Sequence, residues 1–337
     1  MEKNEELKVI DLFAGAGGLS EGFKQAGFKI IAANEINPVF VETYKINHPE
    51  TEIFTKDIRE ISVGDFKKYC KIENEKVDLI IGGPPCQGFS MAGRRNSKDP
   101  RNSLFMEFVR FVKEIKPRYF VMENVPGILT MKIEKGYLVK NIIEHEFKKI
   151  GYSVISKKLN AADYGVPQKR KRVFFIGTNN DKQISFPDRT YTAKWISVNS
   201  VLLPKNQVSE EFFHSEIMIA GFKKIKKFHE MKGNGFGAQY LKLNEPSYTI
   251  SARYWKDGSD ALVKYNEREI RMLTPKECAA IQTFPEDYKF AGSKREVYTQ
   301  IGNAVPCLLA KSVAEEIKKL LQKNSEIKET IILQNYQ

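Results

Sequence analysis

Residues Val77 to Ser90 read VDLIIGGPPCQGFS, and this stretch constrains the fold more than any other. The apolar run is short, branched and stopped by Gly82-Gly83-Pro84-Pro85, which predicts a buried strand. Paired glycines and paired prolines then force the chain out of the sheet along a defined path. Cys86 is delivered just past the strand end, where open α/β sheets place their active sites. The competing reading is a small buried thiol, the usual state of a free cysteine.

The same grammar recurs along the chain. Residues 8–13, KVIDLF, form a predicted strand that breaks into Ala14-Gly15-Ala16-Gly17-Gly18. A helix follows with Leu19, Phe23 and Ala26 on one face and Gly27 as its stop. Glycines at 15 and 17 let a ligand approach the backbone at a helix N-terminus. This is not a dinucleotide fingerprint, because Ser20 stands where the third glycine belongs, and a nicotinamide oxidoreductase is disfavoured. The next predicted strand, Phe28 to Asn34, ends at Glu35, where a ribose diol is held in such folds. A third strand end brings Asp57-Ile58 to the same edge, with an acid able to accept from an adenine amino group. Glycines, an acid and a second acid at consecutive strand ends point to an adenosine-containing ligand.

Behind Cys86 lies QGFSMAGRRNSKDPRNS, a polar and basic stretch read as a mobile lid. Arg94, Arg95, Lys98 and Arg101 would meet phosphates there. Leu104 to Ile115 is a predicted amphipathic helix ended by Lys116-Pro117, and the strand Arg118 to Met122 runs into Glu123. A helix over Tyr137 to Ile150 precedes two further predicted strands, Val154 to Asn160 and Arg172 to Gly177. In the basic connection between them, Gln168, Arg170 and Arg172 alternate and share one side if the segment is extended.

From Asn179 to Tyr265 the pattern becomes irregular, with basic and aromatic residues interleaved at 223–228 and 253–256. This suits a loop-rich surface touching nucleic acid and suggests a second, smaller domain. Thr274 and Pro275 start a short helix, and Gly302-Asn303 is read as a glycine turn before a long one. A net charge of +12 favours a polyanionic partner. The four cysteines and four histidines are scattered, so no metal site is expected. The charged start and the lack of a long apolar run predict no signal peptide, no membrane span and a cytoplasmic location.

The ordered motifs DLFAGAGGLS, GGPPCQGFS, ENV, QKRKR, RMLTPKECAAIQTFPEDY and GNAVP resemble the DNA (cytosine-5)-methyltransferases of bacterial restriction–modification systems. The resemblance spans residue 11 to about 310. It implies an α/β, doubly wound, Rossmann-like domain that binds S-adenosyl-L-methionine, plus a smaller target-recognition domain. Expected bounds are 1–185 with 300–325 for the discontinuous catalytic domain, 186–270 for recognition, 271–299 for a connecting helix and hinge, and 326–337 for a tail. The resemblance implies that Phe13, Glu35, Asp57, Ile58, Pro85, Leu104 and Asn303 line the cofactor pocket, beside Gly15 and Gly17. It makes Cys86 the nucleophile, Glu123 the group at ring nitrogen 3, Arg172 a ligand of the ring carbonyl and Arg170 a support for the loop or a phosphate. Gln87, Ser90, Arg94, Arg95, Arg101, Gln168, Thr249 and Arg253 are expected to contact double-stranded DNA. A monomer is expected, with a cognate restriction endonuclease as genetic companion. An RNA methyltransferase of this fold is disfavoured because no cysteine lies between Cys86 and Cys278, and an adenine methyltransferase because Cys86 replaces the aromatic after the prolines. A catalytically dead binding module is disfavoured by the complete set of reactive residues.

Overall fold

The computed structural model describes residues 6–85, 104–132, 136–179, 184–233 and 237–335, with side chains to 322. The chain begins as a strand–helix alternation: β1 (Lys8–Leu12), α1 (Gly18–Gln25), β2 (Lys29–Asn34), α2 (Pro38–Asn47), β3 (Glu52–Phe54), α3 (Val63–Tyr69) and β4 (Leu79–Gly82), of which α2 and α3 are not read from the sequence. There follow α4 (Leu104–Ile115), β5 (Tyr119–Asn124), α5 (Val139–Lys149), β6 (Ser153–Asn160) and β7 (Lys171–Thr178). These strands make one sheet in the order β3-β2-β1-β4-β5-β7-β6. The first five run parallel, and β7 is antiparallel to both of its neighbours.

Strand alternation divides the core in two. On β4, Ile80 faces one side while Leu79 and Ile81 face the other; on β5, Phe120 and Met122 oppose Tyr119 and Val121. The first side is covered by Phe66 of α3, Phe108 and Phe111 of α4, and Phe147 of α5, with Phe120 and Phe147 stacked 4.0 Å apart. Each such ring contributes roughly 2–3 kcal/mol by burial, so Phe120→Ala is the single change that most directly opens this layer. The second side is covered by α1 and by α9 (Cys307–Asn335), which returns from the end of the chain. Gly22 makes that return possible, since a Cβ there would stand 2.4 Å from Ala310 Cβ and 2.5 Å from the Cys307 carbonyl. The helix runs on to Asn335, through residues read from sequence as a polar tail.

Between the sheet and α9 the chain forms α6 (Glu216–Met231), the short pair β8 (Val263–Lys264) and β9 (Ile270–Arg271), α7 (Pro275–Ile281) and α8 (Lys294–Asn303). The 16-residue α6 lies where sequence periodicity promised only loops. Ile219 and Phe222 turn inward, whereas Ile217, Ile225, Phe228 and Met231 are exposed, and this scatter erases the helical period. The bound expected at residue 270 falls within the β8–β9 pair. The apolar cluster of Val198, Phe212, Leu241 and Ile250 continues into Leu273, Cys278 and Ile281 around α7 and Tyr298 and Ile301 of α8. A buried ion pair, Arg271 to Glu277, ties this layer together with two contacts of 2.8 Å. The Thr274 cap and the first-turn Pro275 hold as sequence suggests, and Glu277 completes a capping box with Thr274. Gly302-Asn303, by contrast, is not a turn but the last turn of α8. Gly302 is required there by proximity, since a Cβ would stand 2.3 Å from the Ser251 carbonyl.

Candidate active site

The sheet order reverses between β1 and β4, and the carboxyl ends of β1 to β5 open into one cavity of about 660 Å³. Phe13 and Gly15 follow β1, Glu35 follows β2, Asp57 and Ile58 follow β3, and Pro85 follows β4. Glu123 ends β5, while Leu104 of α4 and Asn303 of α8 complete the wall. The structure therefore brings eight of the nine residues proposed for cofactor binding to one cavity, with Glu123 beside them. Gly17 is the exception. It sits behind the loop at φ 88°, its Cβ position 2.6 Å from Tyr288 Oη and 2.8 Å from His48 Nε2. Its role is to let the loop pack closely on those side chains.

Glu35 holds the loop at its own strand end. Its Oε2 accepts from the Gly15 N–H and its Oε1 from the Asn37 N–H, both at 2.8 Å. Burial outweighs these bonds and pushes its pKa up, and each oxygen retains a lone pair for a hydroxyl. Asp57 caps the short turn that follows and is gripped by Arg59, whose hydrogen bond holds it below the usual carboxylate value. Asp11, which sequence reading passed over, lies fully buried on the cavity lining. Its Oδ2 accepts from Ser20 Oγ at 2.6 Å, whereas its Oδ1 has no partner. Burial pushes this carboxyl up to about 7. An acid inside an otherwise apolar strand is the signal that would have found it. An unpartnered carboxylate oxygen beside Glu35, apolar walls of Phe13, Ile58 and Leu104, and a loop that lines the cavity at Gly15 and Ala16 fit a cationic adenosine-containing ligand.

Glu123 and Arg172 form the second half of the site. Arg172 Nε contacts Glu123 Oε1 at 2.8 Å. Burial raises the Glu123 pKa and prevails over Arg172 and Arg170, which lower it. Burial also lowers the Arg172 pKa, but a guanidinium starts far enough above neutrality to stay charged. Gly83 admits Glu123 closely, a Cβ there lying 3.1 Å from Glu123 Oε2. Asn124 Nδ2 donates to the Pro84 carbonyl at 3.1 Å and joins the β5 end to the segment that leads toward Cys86.

Arg170 is fully buried rather than exposed. Its Nη1 donates to the Ile250 carbonyl at 2.8 Å and its Nη2 to the Gly302 carbonyl at 2.6 Å. It braces the loop, and a phosphate contact is ruled out by its burial. Gln168 requires the same correction. It is fully buried, its amide donating to Gln282 Oε1 at 2.9 Å and accepting from the Ile250 N–H at 3.0 Å. Alternation placed it correctly on one side of the segment, but that side faces protein. Together the two residues clamp the Ile250 peptide and leave Thr249 exposed, its hydroxyl donating to the Lys169 carbonyl. Arg253 is exposed as well. Cys86, Gln87, Ser90, Arg94, Arg95, Lys98 and Arg101 lie outside the described residues. Among the described residues, no three His, Cys, Asp or Glu side chains gather as a metal site, and no helix is long and apolar enough to cross a membrane.

The model of the C-5 cytosine-specific DNA methylases matches residues 7–319. The Type II methyltransferase M.DdeI of Desulfomicrobium norvegicum is 36% identical, over 92% of this chain and 88% of the relative. M1.HphI of Haemophilus parahaemolyticus is 39% identical, over 93% and 87%. Among solved structures, an E. coli prophage protein assigned as a DNA modification methyltransferase superposes with a TM-score of 0.72 at 27% identity, over 94% of this chain and 100% of that one. A Spodoptera frugiperda DNMT2 mutant, at 24% identity and a TM-score of 0.70, shares the fold. On the match of its motifs, its sheet and nearly its whole length, this chain belongs to the C-5 cytosine-specific DNA methylases and is a DNA (cytosine-5)-methyltransferase of the restriction–modification type.

Proposed function

We propose that this enzyme methylates a cytosine flipped out of duplex DNA, through a covalent adduct between Cys86 and carbon 6 of the base. The single observation that carries the reading is Glu123, paired to Arg172 and lining the same cavity as Glu35 and Pro85. Family membership implies S-adenosyl-L-methionine as methyl donor, which supplies an electrophilic methyl group when bound. Phe13, Gly15, Glu35, Asp57, Ile58, Pro85, Leu104 and Asn303 would hold it.

Carbon 5 of cytosine is a poor nucleophile within an aromatic ring. A Cys86 thiolate adding to carbon 6 removes the aromaticity and makes carbon 5 enamine-like. Glu123, its pKa raised by burial, carries a proton to ring nitrogen 3 and neutralises the charge that addition creates. Arg172 holds Glu123 with one nitrogen and has further donors for the ring carbonyl. Once carbon 5 is methylated, a base removes its proton, the electron pair re-forms the ring double bond, and the Cys86 thiolate leaves.

A stacked base cannot reach these groups, and flipping costs a few kcal/mol. Residues 186–270 form the proposed recognition region, with Thr249 and Arg253 as strand contacts, while Arg94, Arg95 and Arg101 of the stretch behind Cys86 are the proposed phosphate contacts. The net charge of +12 supports a polyanionic substrate. A protective role against a cognate endonuclease, in the cytoplasm and as a monomer, follows from the family's restriction–modification setting.

Duplex DNA carrying 5-fluorocytosine at the target tests the reading, because elimination needs a hydrogen at carbon 5. A trapped complex mapping to Cys86 is expected, and Cys86→Ser methylating at the normal rate would overturn it. Binding should weaken steeply with salt; a flat profile would remove duplex DNA as the substrate.

A further inference from the structure

The motif RMLTPKECAAIQTFPEDY ends in a residue that none of the chemistry above uses, Tyr288. Its ring packs against Phe284 and Phe290, with centroids 4.7 and 5.3 Å away, and its hydroxyl reaches back across the chain to the loop between β1 and α1. There it donates to the Ala16 carbonyl at 2.5 Å. A phenol has one hydrogen, so toward His48 Nε2, 3.3 Å away, the same oxygen is the acceptor. His48 must then carry its proton on Nε2, which agrees with His48 Nδ1 being buried without a partner.

The segment around Tyr288 is strapped to α2. The Asn47 side chain donates to the Lys289 carbonyl at 2.8 Å and accepts from the Lys289 N–H at 3.0 Å. Two residues on, the Ala291 N–H donates to Thr43 Oγ1 at 2.9 Å. The strap therefore holds the tyrosine at a set height behind the loop.

What it holds is the glycine-rich part of the cavity wall. Gly15 and Gly17 both have left-handed backbones, at φ 58° and 88°, and the peptide joining Ala16 to Gly17 lies between them. That peptide turns about the ψ of Ala16 and the φ of Gly17, and the missing Cβ at Gly17 lowers the barrier to turning it over. The Ala16 carbonyl and the Gly17 N–H belong to one rigid plane, so fixing the carbonyl fixes the donor. That donor bonds the Ala14 carbonyl at 3.0 Å and closes the turn on which Gly15, Ala16 and Gly18 face the cavity.

We propose that Tyr288 is a positioning residue for methyl-donor binding: its hydroxyl pins the Ala16–Gly17 peptide and so pre-forms the loop that receives the donor. The proposal rests on the reading of the cavity as the S-adenosyl-L-methionine pocket. Preorganisation of this kind acts on affinity, because a loop ordered beforehand loses less freedom on binding. Removing the hydroxyl should leave the reacting groups at Glu123 and Arg172 untouched, since they belong to β5 and β7.

Tyr288→Phe keeps the ring and deletes the bond to the Ala16 carbonyl, together with the longer one accepted from His48 Nε2. Calorimetric titration of the DNA-free protein with S-adenosyl-L-methionine should show Kd raised about fivefold, the usual worth of one neutral bond. KM for the donor should rise in step while kcat at saturating donor stays within twofold. Asn47→Ala, which frees the strap and leaves Tyr288 intact, should move Kd in the same direction. An unchanged Kd in Tyr288→Phe would overturn the proposal. So would a fall in kcat equal to the rise in KM, which marks a general structural role. If the wild-type protein binds no S-adenosyl-L-methionine, the pocket reading itself fails and this proposal falls with it. A wild-type protein that binds, beside a variant that binds equally well, refutes the positioning role alone.

Discussion

Arg172 Nε lies 2.8 Å from Glu123 Oε1 across two strands that run in opposite directions. Because β7 is antiparallel to β5, its beginning meets the carboxyl end of the parallel strands, and a guanidinium from residue 172 arrives where β5 releases its acid. A parallel partner would have put that arginine at the other edge of the sheet. Glu123→Gln should lower kcat by about 10²-fold or more with DNA binding retained, read by methyl incorporation beside a gel-shift titration.

The same pair has a pH signature. If the protonated carboxyl is the active form, kcat falls as pH rises through the raised Glu123 pKa. Arg172 lowers that pKa, so Arg172→Met should shift the falling limb of its residual activity to higher pH. A limb that moves to lower pH would contradict the assignment of the proton to Glu123.

Asp11 predicts a pH-dependent stability. Its folded pKa is raised to about 7 from 3.8, so the folded state holds a proton that the unfolded state releases. Stability is therefore lost as pH rises through this window, and the loss is complete above the folded value. Asp11→Asn should be more stable than the parent by a margin that grows by about 2 kcal/mol between pH 5 and pH 8. Urea unfolding of the ligand-free protein at the two pH values measures it, and a constant margin would show that burial leaves the carboxyl unshifted.

Arg170 spans two carbonyls, of Ile250 and Gly302, with a separate nitrogen of its fork on each. Arg170→Met should cost about 3 kcal/mol, since it leaves buried acceptors unmet. Arg170→Lys should recover less than half of that, because an ammonium lacks the planar fork. Chemical denaturation compares the three proteins.

Two glycines in helices should respond in opposite directions. At Gly302 a Cβ meets the Ser251 carbonyl at 2.3 Å, so Gly302→Ala should destabilise by about 1–3 kcal/mol. Gly221 in α6 has open space around its Cβ position, and Gly221→Ala should stabilise by about 0.5–1 kcal/mol. Melting curves that rank the two in the reverse order would refute the packing described for Ser251.

The parallel strands and the acids at their ends were legible in the sequence for a local reason. A branched run stopped by Gly, Pro or an acid specifies both the strand and the point at which the chain leaves the sheet, as at Gly82 to Pro85 and at Glu123. Cys86 and its motif, and with them the family, follow from the chain alone. The tertiary structure decided which side of each segment is inside. Gln168 reads as a DNA contact and Arg170 as a support for the loop or a phosphate; both are buried, because Ile250, Gln282 and Gly302 arrive from far along the chain to accept and donate to them. Helix α6 was hidden because much of its apolar surface faces outward, and the need for Gly302 exists only where Ser251 passes it. Asp11 is marked locally only as an acid within an apolar strand, and nothing local marks Tyr288 for the cavity; one depends on burial, and the other on a carbonyl 272 residues away in sequence. Local periodicity encodes the direction of the backbone, whereas the pairing of polar groups depends on contacts that exist only once the chain has closed on itself.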